Sequence, residues 1–352
     1  MKGGCPYGEY PLQEFSNNAV QHTMASSFLP ASAPIGSFLD NVRTRIASPR
    51  AYWRKVKADP RYAIYDILPI VTDPALRDRL AAPIAARRPR TPGFHPSLEA
   101  RDWCRTLERD GITPLLPPVA PSIVASLRAY FENTPCQDPF RPHLGWFQPD
   151  SPPSPDSNMG YHGIEQILRA PHVLALFNDP QVLETAELYL GCKPTLDNIG
   201  CWWSYGGASF GGREAAKGTQ RHHRDLDSLR GFKIFFYLTD VDEDDGPHIF
   251  VKGSHRSRLL STGRALTDAQ VEAAFGTAGT VTMTGAAGSR FLGDTYGVHK
   301  GALPRRGRRL LLTAQYNVNR SPHGPTVPPL DRRSADLPDG LDPFVNRIYV
   351  AP

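Results

Sequence analysis

From residue 194 onward the chain breaks into short runs of β-branched and aromatic residues separated by Gly, Asp and Asn. No other feature constrains the fold as much. The runs are Thr195–Tyr205, Phe232–Leu238, His248–Val251, Gly279–Met283, Ser289–Leu292 and Arg309–Tyr316. Many short strands with turn signals between them argue for an all-β sandwich or a jelly roll.

The residues before this region read differently. Glu99–Arg109 is amphipathic, and Ile123, Leu127, Tyr130 and Phe131 recur at helical spacing after the start signal Pro121-Ser122. Ile164–Phe177 and Pro180–Leu190 continue the helical pattern, the second opened by Asp179-Pro180 and closed by Gly191. Residues 148–161, QPDSPPSPDSNMGY, read as a long loop of the kind that forms a lid. Residues 1–95 are rich in Pro, Ser and Arg, with short helices expected near 38–57, interrupted by Pro49, and 74–88, interrupted by Pro83. The expected organisation is an irregular or helical N-terminal extension over 1–95 and one domain over 96–352. That domain has a helical lead-in at 96–192 and a strand core at about 194–320.

Composition excludes several classes. No apolar run approaches the ~20 residues that span a bilayer, so no membrane association is expected. The opening stretch MKGGCPYGEYPLQEF lacks the apolar segment of a secretory signal. Five cysteines without CxxC spacing read as reduced thiols, which places the expected compartment in the cytoplasm. The net charge of +5 is modest, and the basic runs at 87–90 and 305–309 come with no nucleic-acid motif. A solvated basic surface is the expectation there, without a nucleic-acid partner. Oligomeric state is not encoded in any pattern here.

Eleven histidines are present, and one begins a His-x-Asp or His-x-Glu triplet: His223-Arg224-Asp225. In extended backbone residues i and i+2 point to the same side, so an imidazole and a carboxylate can converge on one metal. His299, beside an expected strand edge, is the candidate third ligand. Two imidazoles and one carboxylate on one face of an octahedron leave three positions open, which suits Fe(II) binding a bidentate 2-oxo acid and O2. Taken alone, the triplet fits a hydrogen-bonded surface pair equally well. Ten residues beyond His299, Arg309 opens a strand-like run, where its guanidinium can hold the far carboxylate of a dicarboxylic co-substrate. Arg308 competes for that role, because strand register decides which of the two faces inward.

Several separated motifs occur in order: Gln220–Asp225, Phe236-Tyr237-Leu238-Thr239-Asp240-Val241, Asp245-Gly246-Pro247, Val251-Lys252-Gly253-Ser254-His255-Arg256, Gly293-Asp294-Thr295, His299-x-Gly301 and Arg309. Together they resemble the phytanoyl-CoA dioxygenase family over roughly 220–316, and more weakly back to Asp110-Gly111-Ile112. The resemblance implies a double-stranded β-helix (jelly-roll, cupin-like) core and Fe(II), 2-oxoglutarate and O2 as cofactor and co-substrates. It implies that His223, Asp225 and His299 match the iron ligands and Arg309 the co-substrate arginine. The spacing from distal histidine to arginine is one residue shorter than in much of the family, which bears on the choice between Arg308 and Arg309. Relatives that halogenate carry a small residue at the position of Asp225, so its retention implies hydroxylation, desaturation or another oxidation.

Other residues are weighed beside these. Thr295 and Gln220 are candidate co-substrate contacts; Trp202 and Tyr205, with Trp203 nearby, are candidate substrate-pocket aromatics. Lys233 is a candidate second anchor for an acidic group. His222 is expected to face away from the metal, His255 to fix a loop, and Asp227 to replace Asp225 only if the backbone curls. The expected activity is an Fe(II)- and 2-oxoglutarate-dependent dioxygenase acting on a small molecule, with the helical prefix and proline-rich loop favouring a specialised metabolite. The rival readings are a cupin-like metal hydrolase or isomerase that does not use 2-oxoglutarate, and a non-catalytic jelly-roll binding module.

Overall fold

The structure is a computed structural model that describes residues 49–206, 218–333 and 337–351. Its first elements are α1 (Pro49–Ala58), α2 (Tyr62–Tyr65) and α3 (Pro74–Ala86). Of the helix expected near 38–57, α1 covers the part from Pro49 onward, and the expected helical residues before it lie outside the described ones. The Asp73 carboxylate caps α3 by accepting from Leu76 N–H, and α3 continues through Pro83 to Ala86. This extension is docked on the rest of the chain. Leu68 is buried in the main core, Arg77 donates to the Ser228 carbonyl, and the Tyr296 hydroxyl donates to Thr72 O at 2.5 Å.

The lead-in comprises α4 (Leu98–Asp110), α5 (Pro121–Glu132), β1 (Cys136–Gln137), β2 (Trp146–Phe147), β3 (Met159–Tyr161), α6 (Ile164–Arg169), α7 (Val173–Phe177) and α8 (Pro180–Leu190). α4 ends at Gly111 with φ of 78°, and a Cβ there would meet His255 Nδ1 at 2.5 Å; glycine satisfies both the left-handed turn and the close approach. The single helix expected over 164–177 is two helices. Pro171 forces Ala170 out of the helical region, to ψ of 137°. The loop expected over 148–161 ends in β3, which pairs with β4 through Met159↔Ser204 and Tyr161↔Trp202. Strands this short carry no readable alternation.

Next come β4 (Thr195–Tyr205), β5 (Gly231–Tyr237), β6 (His248–Val251), α9 (Asp268–Phe275), β7 (Thr280–Met283), β8 (Arg290–Gly293), β9 (His299–Gly301), β10 (Arg308–Asn317) and α10 (Pro343–Asn346). They form two antiparallel sheets, one ordered β2-β1-β3-β4-β10-β5-β8 and a smaller one ordered β7-β6-β9. Side-chain alternation along each strand sorts residues between two environments. Phe232, Ile234, Phe236, Leu310, Leu312, Cys201 and Trp203 face the helices in one large core. Phe235, Tyr237, Phe291 and Leu311 face Phe250 and Met283 of the smaller sheet in another. Two sheets closed on a shared interior, with helices over the outer face of the larger, make a jelly-roll core with flanking helices.

Phe236 lies fully buried on the helix-facing side, its ring 6.3 Å from that of Phe177. Phe236→Ala should therefore cost about 3–5 kcal/mol of unfolding free energy, measured by urea denaturation.

Candidate metal centre

His223 and Asp225 enter the smaller sheet through main-chain bonds. His223 N–H donates to His299 O at 2.9 Å, His299 N–H returns the bond at 3.1 Å, and Asp225 N–H donates to Thr295 O at 2.8 Å. This splices residues 223–225 beside β9, and the two-residue period sets both side chains on the side of His299. His223 Nε2 lies 3.3 Å from Asp225 Oδ1, and His299 Nε2 lies 3.8 Å from Asp225 Oδ2. One ligand atom from each of the three falls within 4.8 Å of the other two.

The tautomers suit a metal. His223 Nδ1 sits 2.8 Å from Arg221 O, and His299 Nδ1 sits 2.9 Å from Gly297 O. A carbonyl oxygen only accepts, so each Nδ1 carries the proton and each Nε2 presents a lone pair. His223 Nε2 is buried without a hydrogen-bond partner. Burial, then the neighbouring His223, hold the His299 imidazole down to about 3. Burial alone would raise the Asp225 carboxyl, but Lys233 and the two imidazoles outweigh it and hold it well below the usual carboxylate range. Two imidazole nitrogens and one carboxylate oxygen converging on one point fit a divalent first-row metal.

Strand register separates the two arginines. Arg308 pairs with Tyr205 and Arg309 with Ser204, so they face opposite sides of the sheet. Arg308 lies over the Trp203 ring at 4.4 Å, with Glu132 3.7 Å away, on the helix side. Arg309 is buried in the interior, 2% exposed, and donates to Gly246 O and to Ser204 Oγ. Its Nε has no partner, and among the described residues no carboxylate pairs with it. A Cβ on Gly301, two residues past His299, would meet its Nη2 at 3.3 Å. Triad and guanidinium therefore share one interior.

No protein-family model matches the chain, and no curated protein matches it by sequence. Among solved structures, it is similar to the non-heme alpha ketoglutarate dependent carbocyclase SnoK from nogalamycin biosynthesis at 15% identity and a TM-score of 0.44, over 63% of this chain and 86% of that one. It is similar to EctD from S. alaskensis with 2-oxoglutarate and 5-hydroxyectoine at 20% identity and a TM-score of 0.43, over 75% and 94%. It is also similar to the non-heme alpha ketoglutarate dependent epimerase SnoN from nogalamycin biosynthesis at 19% identity and a TM-score of 0.39, over 62% and 80%. Likeness at this level says nothing about reaction or substrate.

The remaining expected site residues divide. Trp202 faces the interior, its ring stacked on Tyr161 at 5.2 Å, with Nε1 buried and unpartnered. Tyr205 does not reach the interior. Three residues along β4 from Trp202 and so on the opposite face, it packs with Phe147 and Cys136 in the helix-covered core, to which Trp203 also belongs. Gln220 is buried and accepts from Asn158 Nδ2 at 3.1 Å. Thr295 meets the site through its main-chain oxygen on Asp225. Lys233 is not poised as a substrate anchor, because its ammonium lies 2.6 Å from Asp225 Oδ2 and 3.6 Å from Asp227 Oδ2. His222 turns to Asp268 at 2.9 Å, His255 bonds Glu108 O at 3.3 Å, and Asp227 bonds His323 Nε2 at 3.2 Å. The clamp from Lys233 and the inward Ser204 were missed from sequence. β5 carries large apolar side chains on both faces, Phe235 and Tyr237 on one and Phe232, Ile234 and Phe236 on the other, so its alternation does not announce which face is interior.

A cleft of about 290 Å³ reaches the triad through Asp225. Its walls include Asp227, Gln315, Asp294, Arg230 and Tyr189, with Arg77 and Asp78 from α3. The basic run at 305–309 makes no free patch, since Arg305 pairs with Asp244 and Arg306 with Asp242. Among the described residues no helix is long and apolar enough to cross a membrane.

Burial lowers His162 and His222 to about 4, as it lowers His299 to about 3. These imidazoles stay neutral in the fold while the unfolded chain takes up protons below about pH 6.5. Metal-free protein should keep this stability above that pH and lose it as pH falls, by a few kcal/mol per pH unit near pH 5. Urea midpoints measured from pH 7.5 to pH 4.5 check the direction.

Proposed function

We propose that the chain is an Fe(II)- and 2-oxoglutarate-dependent oxygenase that oxidises a C–H bond of a small molecule. The observation that carries this reading is Arg309, a buried cation with no acidic partner among the described residues, in the same interior as an open two-histidine, one-carboxylate triad. A buried unpaired charge is costly. A dicarboxylate with one end at the triad and the other at Arg309 relieves that cost and explains both features together.

His223, Asp225 and His299 would hold the iron, and Arg309 would fix the distal carboxylate as a charge-assisted pair, helped by Ser204. Bound there, Fe(II) supplies the redox chemistry by which O2 oxidises 2-oxoglutarate to succinate and CO2 while one oxygen atom goes to the substrate. The protein's own part is to orient and to exclude water. Apolar Phe235, Tyr237, Phe250, Phe291 and Leu311 line the interior, and the Trp202–Tyr161 stack walls one side. Asp225 occupies the place that a small residue leaves for chloride in halogenating relatives, which favours hydroxylation or a related oxidation. The polar cleft at Asp225 supports a small polar substrate, in line with a specialised metabolite.

Purified protein with Fe(II), ascorbate and 2-oxoglutarate should form succinate slowly even without substrate, and none would count against the proposal. Anaerobic addition of 2-oxoglutarate to the Fe(II) protein should produce a weak visible charge-transfer band, which a hydrolase or isomerase lacking this co-substrate would not show. Arg309→Met should weaken 2-oxoglutarate binding by about 30-fold to several thousand-fold, the equivalent of roughly 2–5 kcal/mol, with Mn(II) affinity unchanged in calorimetric titration. His299→Ala should lower Mn(II) affinity by more than the roughly 100-fold that loss of an outer-sphere partner costs. A binding module that ignores metal would tolerate this change.

A further inference from the structure

The two oxygens of Asp225 have different neighbours. Oδ1 lies 3.3 Å from His223 Nε2 and has no lysine beside it, whereas Oδ2, 3.8 Å from His299 Nε2, also accepts from Lys233 Nζ at 2.6 Å. Lys233 is held in place from several directions. On β5 it sits between Gly293 of β8, which has no side chain to obstruct it, and Gln315 of β10. Behind it, Asp227 Oδ2 lies 3.6 Å from Nζ, while Asp227 Oδ1 bonds His323 Nε2 at 3.2 Å. The edge of Tyr65, from the N-terminal extension, closes on the His323 ring at 5.3 Å. A lysine with this support is a fixed donor, not a mobile surface charge.

We infer that Lys233 is a positioning residue that reserves Asp225 Oδ2 and so restricts this carboxylate to a single oxygen on the metal. The inference rests on the proposed function, and its reasoning is a count of positions. Six-coordinate iron with one donor from each of three residues keeps three positions free, two for the 2-oxo acid and one for O2. An aspartate free to bind through both oxygens takes one of these, and the co-substrate must then displace an oxygen atom to chelate. The short charge-assisted bond to Lys233 engages the second oxygen in advance. Asp227 and His323 hold the ammonium at the correct place, and Tyr65 links that support to the extension.

The test uses Mn(II) in the full-length protein and needs no turnover. Broadening of the Mn(II) electron paramagnetic resonance signal in 17O-water counts the bound waters. Wild type should show three, Lys233→Met two, and Lys233→Arg three, since arginine restores a donor to Oδ2. 2-Oxoglutarate affinity for the Mn(II) form should fall by about tenfold or more in Lys233→Met, within the range for loss of an outer-sphere partner, and recover in Lys233→Arg. A purely electrostatic lysine would shift metal and co-substrate affinities and leave the water count unaltered. Three waters in Lys233→Met, whatever its co-substrate affinity, therefore overturn this inference alone. Wild type that holds no divalent ion at these side chains overturns the reading of the site and this inference with it. A crystal structure of the wild-type Mn(II) form adds a measurement that does not depend on a variant folding: one Asp225 oxygen on the ion supports the inference, and two overturn it.

Discussion

The register of β10 underlies the arrangement of the whole interior. This strand pairs with β4 on one side and β5 on the other, and its alternate residues enter two different environments. Leu310, Leu312, Ala314 and Tyr316 go to the helix-covered core, and Arg309, Leu311, Thr313 and Gln315 to the space between the sheets. A slip of one residue would exchange the two sets. Burying each large apolar side chain is worth about 1.5–3 kcal/mol, so the helix-facing set together outweighs the several kcal/mol that burying one guanidinium costs. Arg309 is placed by its neighbours in the strand more than by its own two hydrogen bonds.

The metal ligands depend on the same kind of support. Their side chains make few bonds to one another, but the main chain of 223–225 is bonded to 295–299 at three points. The protonated Nδ1 atoms rest on carbonyls only two residues away along the chain, which aims each Nε2 without a long side-chain network. Asp225 alone has a distant partner, in Lys233 on the larger sheet. The triad is thereby tied to both sheets, and the interior between them is where a dicarboxylate bridging metal and Arg309 would lie.

The N-terminal extension belongs to this architecture more closely than its irregular composition suggests. α3 sends Arg77 to the Ser228 carbonyl, next to the segment that carries Asp225 and Asp227, and Arg77 and Asp78 line the cleft that reaches Asp225. Tyr65 packs on His323, which holds Asp227. Changes in the extension can therefore reach the site through a short chain of contacts.

The sequence by itself determined the long strands, the two-histidine, one-carboxylate pattern and the helix boundaries that caps announce, because each depends on residues close together in the chain. Asp179-Pro180 and Gly191 bound α8 where the capping chemistry requires, and Phe232–Leu238 matches β5 to within one residue. The two-residue β1 and β2 and the three-residue β3 were not legible, since their backbone partners come from segments whose pairing no local pattern encodes. Only tertiary structure decided that Arg309 and not Arg308 faces inward, that Tyr205 turns to the helices, and that Lys233 meets Asp225 and not a substrate. The physical reason is common to all three. A strand with large apolar residues on both faces does not announce which face is interior, and that is set by which sheet and which helices close over each side.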